Sequence, residues 1–143
     1  LLRIKTMADY LKAGLHNVGS YQISGIPYVT GALSIPANTA SPLELIFPSV
    51  TQRIHVHNND ATNGLRVAFS VSGSKGSNYW LVEQHTSAGK NNDYIELRVK
   101  TDRIFLLSNT STAVSGVYIG AELSGIQLDY NLAAAFSGSN GIG

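Results

Sequence analysis

From Ile26 onward the side chains alternate in character with a period of two, and this one feature limits the chain to strands. Leu65, Val67, Phe69 and Val71 interleave with Arg66, Ala68, Ser70 and Ser72. Ile95, Leu97 and Val99 do the same with Glu96, Arg98 and Lys100, and Val117, Ile119, Ala121 and Leu123 repeat the pattern. Successive side chains of a strand point to opposite faces, so such alternation describes a sheet with one face on a core and one in water. Eight strands are predicted: Ile26–Ile35, Pro42–Phe47, Gln52–Asn58, Leu65–Ser72, Asn78–Gln84, Tyr94–Lys100, Arg103–Ser108 and Val114–Leu123. In one of them, Ile104-Phe105-Leu106-Leu107, both faces are apolar, which predicts a central or covered strand.

The breaks carry turn chemistry: Pro36-Ala37-Asn38, Pro48-Ser49, Asn58-Asn59-Asp60, Asn63-Gly64, Gly73-Ser74-Lys75-Gly76 and Gly89-Lys90-Asn91-Asn92. Many short strands with such loops and no helix among them predict an all-β fold, a single jelly-roll β-sandwich of about eight antiparallel strands with N- and C-terminal arms. A length of 143 residues fits one domain with its own core. Its expected extent is 23–125. Residues 1–22 are read as an N-terminal arm holding a short helix over Thr6 to Gly14, and 126–143 as a Gly/Ser/Ala-rich C-terminal arm. The two-residue link Thr101-Asp102 sits awkwardly with this fold. The sixth and seventh strands of a jelly roll lie in different sheets, whereas so short a link normally closes a hairpin.

Charge and cysteine content narrow the function. Charged residues make up 13% of the chain, about half the usual share, which suggests a surface largely covered in the working state. Ten basic residues against nine acidic ones, without a basic cluster, argue against direct nucleic-acid binding, since each neutralised phosphate needs a positive partner. The absence of cysteine excludes disulfides and thiolate metal sites. No apolar run reaches the roughly 18 residues of a membrane span, so no membrane insertion is expected. No signal peptide is expected either.

The search for chemistry turns on His55 and His57. Two apart in a strand, both imidazoles face the same way, and Asp60 follows closely enough to add a carboxylate. They are read as polar residues on the solvent face of a strand whose core face is Ile54 and Val56, and no metal or other cofactor is expected. The His-x-His pattern is similar to that of cupins, but a cupin carries a Glu soon after the second His, where this chain has Ala61 and Thr62. The remaining histidines are His16, in the arm, and His85, near a loop. Gly73-Ser74-Lys75-Gly76-Ser77 lacks the spacing of a phosphate loop and is read as a turn. Glu44, Glu83, Glu96 and Glu122 are scattered along the chain, and no Gly-x-Ser-x-Gly elbow is present, so no catalytic residue is assigned and an enzyme is not expected. Tyr79, Trp80 and Tyr94 are sugar-stacking candidates, but Trp80 is read as the large core residue of its strand. Asn109-Thr110-Ser111 is a formal glycosylation sequon read as coincidental.

One family resemblance emerges from these residues. Leu65-Arg66-Val67-Ala68-Phe69-Ser70, Gly73-Ser74-Lys75-Gly76-Ser77-Asn78-Tyr79-Trp80-Leu81-Val82, Glu96-Leu97-Arg98-Val99-Lys100-Thr101-Asp102-Arg103-Ile104-Phe105-Leu106 and the ending Gly141-Ile142-Gly143 resemble the vertex (penton) capsid proteins of large nucleocytoplasmic double-stranded DNA viruses. The likeness spans roughly residues 26–143. It implies a single jelly roll in a homopentamer at each vertex of an icosahedral virion, touching neighbouring major and minor capsid proteins. It brings no catalytic or cofactor residues with it. The alternatives are a carbohydrate- or receptor-binding sandwich of the tail or fibre type and, less favoured, a cupin-like metalloenzyme.

Overall fold

The computed structural model describes residues 25–85 and 92–126. Eight strands form two sheets: β1 (Ile26–Ile35), β2 (Leu43–Ile46), β3 (Thr51–Asn58), β4 (Leu65–Ala68), β5 (Trp80–Val82), β6 (Tyr94–Leu97), β7 (Arg103–Ser108) and β8 (Val114–Leu123). One sheet runs β1-β8-β3-β6 and the other β2-β7-β4-β5, with every pairing antiparallel. Apart from the β4–β5 hairpin, each strand hands the chain to the opposite sheet. That is the strand order of a jelly roll. The two arms read from sequence fall outside the described residues, apart from Ile126, which is buried.

The Thr101-Asp102 link crosses from β6 in one sheet to β7 in the other, so it turns a corner of the sandwich. Its backbone is held there: the Phe47 N–H donates to the Asp102 carbonyl at 2.8 Å and the Thr51 N–H to the Thr101 carbonyl at 2.9 Å. The Thr51 hydroxyl donates to the Val99 carbonyl at 2.8 Å. Asp102 is buried, and its carboxylate accepts from the Arg103 guanidinium at 3.2 Å. A short link can therefore join two sheets because β2–β3 side chains and backbone supply the bonds that a hairpin partner would otherwise give.

The core lies between the sheets. Ile54, Val56, Val117 and Ile119 come from one side, and Leu65, Val67, Ile104 and Leu106 from the other. Phe69, Ile95, Leu97 and Val99, expected to be buried, are only partly so, because they lie beyond or at the edges of the paired strands. The second face of β7 is buried too, through Phe105 and Leu107 beside Ala68 of β4.

The strand expected over Leu65–Ser72 ends at Ala68, and Val71–Lys75 forms a helix, α1, where a turn was expected. Ser70 decides this local switch. Its hydroxyl accepts from the Gly73 N–H at 2.9 Å and so caps the first turn. The Ser74 hydroxyl donates back to the Val71 carbonyl at 2.7 Å. The helix packs against β4 and β7, is tied to β4 by Arg66 donating to the Ser74 carbonyl at 3.0 Å, and leaves Val71 exposed. The expected strands Asn78–Gln84 and Tyr94–Lys100 are shorter than predicted, as β5 and β6.

Candidate functional site

The outer face of the β1-β8-β3-β6 sheet gathers several of the polar side chains that sequence reading singled out. Outward on β3 stand Arg53, His55 and His57; opposite them lie Glu96 and Tyr94 of β6 and Glu122, Gly120 and Tyr118 of β8. Two of the four scattered carboxylates of the sequence, Glu96 and Glu122, are here brought together. Arg53 Nε lies 3.1 Å from Glu96 and 3.7 Å from Glu122. A guanidinium between two carboxylates offsets one of their two negative charges and links three strands as a structural ion pair. Glu44 pairs with Arg103 in the other sheet, and Glu83 accepts from the Asn92 amide at 3.1 Å.

His55 and His57 share a face, as their spacing requires, yet they serve different partners. His55 Nδ1 shares a short hydrogen bond with the Tyr94 hydroxyl. His57 turns instead toward the end of the strand, where its Nε2 donates to Asp93 Oδ2 at 3.3 Å. The same Asp93 oxygen is bound by His85 Nδ1. His57, His85 and Asp93 thus present three donor atoms all within 4.8 Å of one another. The His57 and His85 rings meet edge to face, with centroids 6.0 Å apart, and Tyr118 flanks His57 on the other side. The hydrogen bond from His85 is the main reason the Asp93 carboxyl sits below its usual range. Burial opposes that shift, and the His57 contact adds to it.

The backbone at each of these positions is pinned. Asp93 precedes β6 and its carbonyl accepts from the Asn58 N–H at 2.8 Å, while the His85 N–H donates to the Asp60 carbonyl at 2.7 Å. Sequence reading kept His85 in view but did not single out Asp93. No local pattern links that residue to His57, because strand pairing makes the neighbourhood.

Asp60 does not join the histidines with its carboxylate. It folds back into its own loop, where Oδ1 accepts from the N–H groups of Thr62 at 2.8 Å and Asn63 at 3.0 Å, and Oδ2 from the Ser115 N–H at 3.0 Å. Burial alone would raise its pKa, but these backbone donors from Ser115, Thr62 and Asn63 outweigh burial and hold the carboxyl well below the ordinary range. Its neighbour Asn58 is buried, and its amide donates to the Asn63 carbonyl at 2.8 Å and the Glu83 carbonyl at 3.2 Å. Asp60 and Asn58 therefore lace the β3–β4 loop to the ends of β5 and β8. His16 lies outside the described residues.

Trp80, expected in the core, is 57% exposed. It sits on β5, an edge strand, opposite Val67 in the register, so it shares the inward face of that strand but lies at the open margin of the sandwich. A concave surface beside it is lined by Val67, Phe69, Tyr79 and Leu97. The Arg66 guanidinium lies over the Tyr79 ring, 4.5 Å from its centroid. Tyr94 is exposed on the opposite sheet, so the three aromatic candidates do not form one platform. In the sequon, the Asn109 side-chain oxygen Oδ1 accepts from Arg66 Nε at 2.9 Å.

Compared with known proteins, the chain matches no family model, and no curated protein or solved structure is significantly similar to it.

Proposed function

We propose that this chain is a structural capsid protein that forms the pentameric vertex of an icosahedral virus shell, bound to copies of itself and to neighbouring capsid proteins in the virion. The observation that carries this reading is where apolar surface is exposed. Ile26 and Val29 lie on β1 and Ile46 on β2, the edge strands at one flank; Trp80 and Leu81 lie on β5, the edge strand at the other. Val29 is 79% exposed. Uncovered apolar edge strands favour aggregation unless a partner takes them. Two unlike apolar flanks on opposite sides of one subunit suit a head-to-tail contact, and such contacts close into rings when the rotation allows. The weak overall charge and the jelly-roll order agree with this reading, as does the sequence resemblance to vertex proteins.

Mass in solution combined with negative-stain imaging tests it. The expected result is a ring of five chains, reduced to folded monomers by Val29→Lys or Trp80→Lys. A wild-type chain that stays monomeric up to its solubility limit, or variants that assemble as wild type does, overturns it.

One observation favours a second reading, a carbohydrate-binding sandwich. The exposed Trp80 stands beside the concave surface lined by Phe69 and Tyr79, and aromatic faces of this kind stack on sugar rings. Glycan-array binding by a monomer, lost in Trp80→Ala, would select it over the shell.

A further inference from the structure

We infer that His57, His85 and Asp93 form a binding site for a divalent first-row transition-metal ion, of which Zn²⁺ is the best-matched example. The donor set is two imidazole nitrogens and one carboxylate oxygen, a combination that suits borderline ions and is poorly suited to Ca²⁺ or Mg²⁺, which prefer all-oxygen shells. The donor atoms lie within 4.8 Å of one another. Around a tetrahedral ion with bonds of about 2.0–2.2 Å, neighbouring donors stand roughly 3.4 Å apart. His57 Nε2 and Asp93 Oδ2 are already at 3.3 Å. His85 Nδ1 and Asp93 Oδ2 are closer, at hydrogen-bond distance. They need to open by less than about 1 Å, which side-chain rotation supplies, and each imidazole then carries its proton on the other ring nitrogen, so that the ion replaces both N–H contacts to Asp93.

The site is built on fixed positions. His57 belongs to β3, an interior strand of its sheet. Asp93 and His85 are anchored through their own backbone hydrogen bonds to Asn58 and Asp60. The half-exposed imidazoles and the shielded carboxylate, whose side chain is 14% exposed, leave remaining coordination positions open to water from outside. The ion has a definite mechanical role. β5 and β6 are the edge strands of the two sheets on the same flank, and the chain passes from one to the other between His85 and Asp93. An ion held by both residues and by His57 clips the two ends of that crossover to the sheet. This inference is independent of the shell reading.

The test uses the full chain, dialysed against chelator and titrated with Zn²⁺ by calorimetry. Co²⁺ serves as a spectroscopic probe, and circular dichroism confirms the fold of each variant. Wild type should bind about one ion per chain, with a melting temperature that rises with free Zn²⁺ as linkage requires. His85→Ala should weaken binding by more than about tenfold, since even outer-shell partners contribute that much. It should also remove the visible Co²⁺ band. Asp93→Asn keeps the side-chain shape and covers the case in which His85→Ala fails to fold; it should show the same losses. His55→Ala, which touches Tyr94 and not the trio, should bind as wild type does. Absence of saturable binding, wild-type affinity in His85→Ala or Asp93→Asn, or loss of binding in His55→Ala would overturn the assignment.

Discussion

The outer faces of the two sheets differ in what covers them. Outside the β1-β8-β3-β6 sheet, Arg53 is paired with Glu96 and Glu122, His55 with Tyr94, and His57 and His85 with Asp93, all within reach of water. Outside the β2-β7-β4-β5 sheet, Phe105, Leu107 and Ala68 are buried, and α1 packs against β4 and β7. One face is held by pairwise polar contacts, the other by excluded apolar surface. The difference teaches that the two sheets contribute stability by different physics. Charge pairs in water are worth little each, while a buried Leu or Phe removes a large apolar area from solvent.

Truncation of β7 probes that contrast most strongly. Leu106→Ala on the inner face should destabilise the fold by about 2–5 kcal/mol, and Leu107→Ala on the outer face should fall in the same range, because both side chains are fully enclosed. Tyr118→Ala, on the outer face of the other sheet, should lose far less. Denaturant unfolding measures all three, and a loss under about 1 kcal/mol for Leu107→Ala would erase the distinction between the two exteriors.

Acid should act on the polar side. Asp60 and Asp93 both have folded pKa values below their unfolded ones. Their contribution is therefore complete above the unfolded carboxylate value of about 4 and is lost as pH falls through the lower folded values. Unfolding free energy measured in chelator should hold steady near neutrality and drop with acidification below about pH 4. Asp60→Asn should lower stability at neutral pH and flatten that drop. An unchanged acid limb in the variant would mean that the Ser115, Thr62 and Asn63 bonds do not hold the carboxylate.

The smallest effect belongs to Arg53. Its partners are partly exposed, so Arg53→Met should change stability by about 0.2–1 kcal/mol, less as salt is raised. A loss above about 2 kcal/mol would show that this ion pair works as a buried network and would narrow the contrast between the two faces.

Much of the fold is legible without coordinates. Every predicted strand is present, and the doubly apolar run Ile104-Phe105-Leu106-Leu107 does occupy a strand interior to its sheet. Ser70 shows where the reading failed: it continues the alternation of Leu65 to Ser72, yet its hydroxyl caps α1. The same residue type suits the solvent face of a strand and the start of a helix, so periodicity could not choose between them. Trp80 failed for another reason. Its size suggested a core position, and its register opposite Val67 does put it on the inward side of β5. That strand, however, is the margin of its sheet and leaves the ring exposed.

Alternation is a local property, set by side chains one and two positions apart, and for that reason the sequence by itself determined the eight strands, the core faces of most of them and the shared face of His55 and His57. Three matters were left to the tertiary structure: that Thr101-Asp102 crosses between sheets, that Asp60 closes its own loop, and that His57 meets Asp93 and His85. Each depends on which strands pair and at what register. Those choices are made by the burial of the whole sandwich, and no segment of the chain carries them alone.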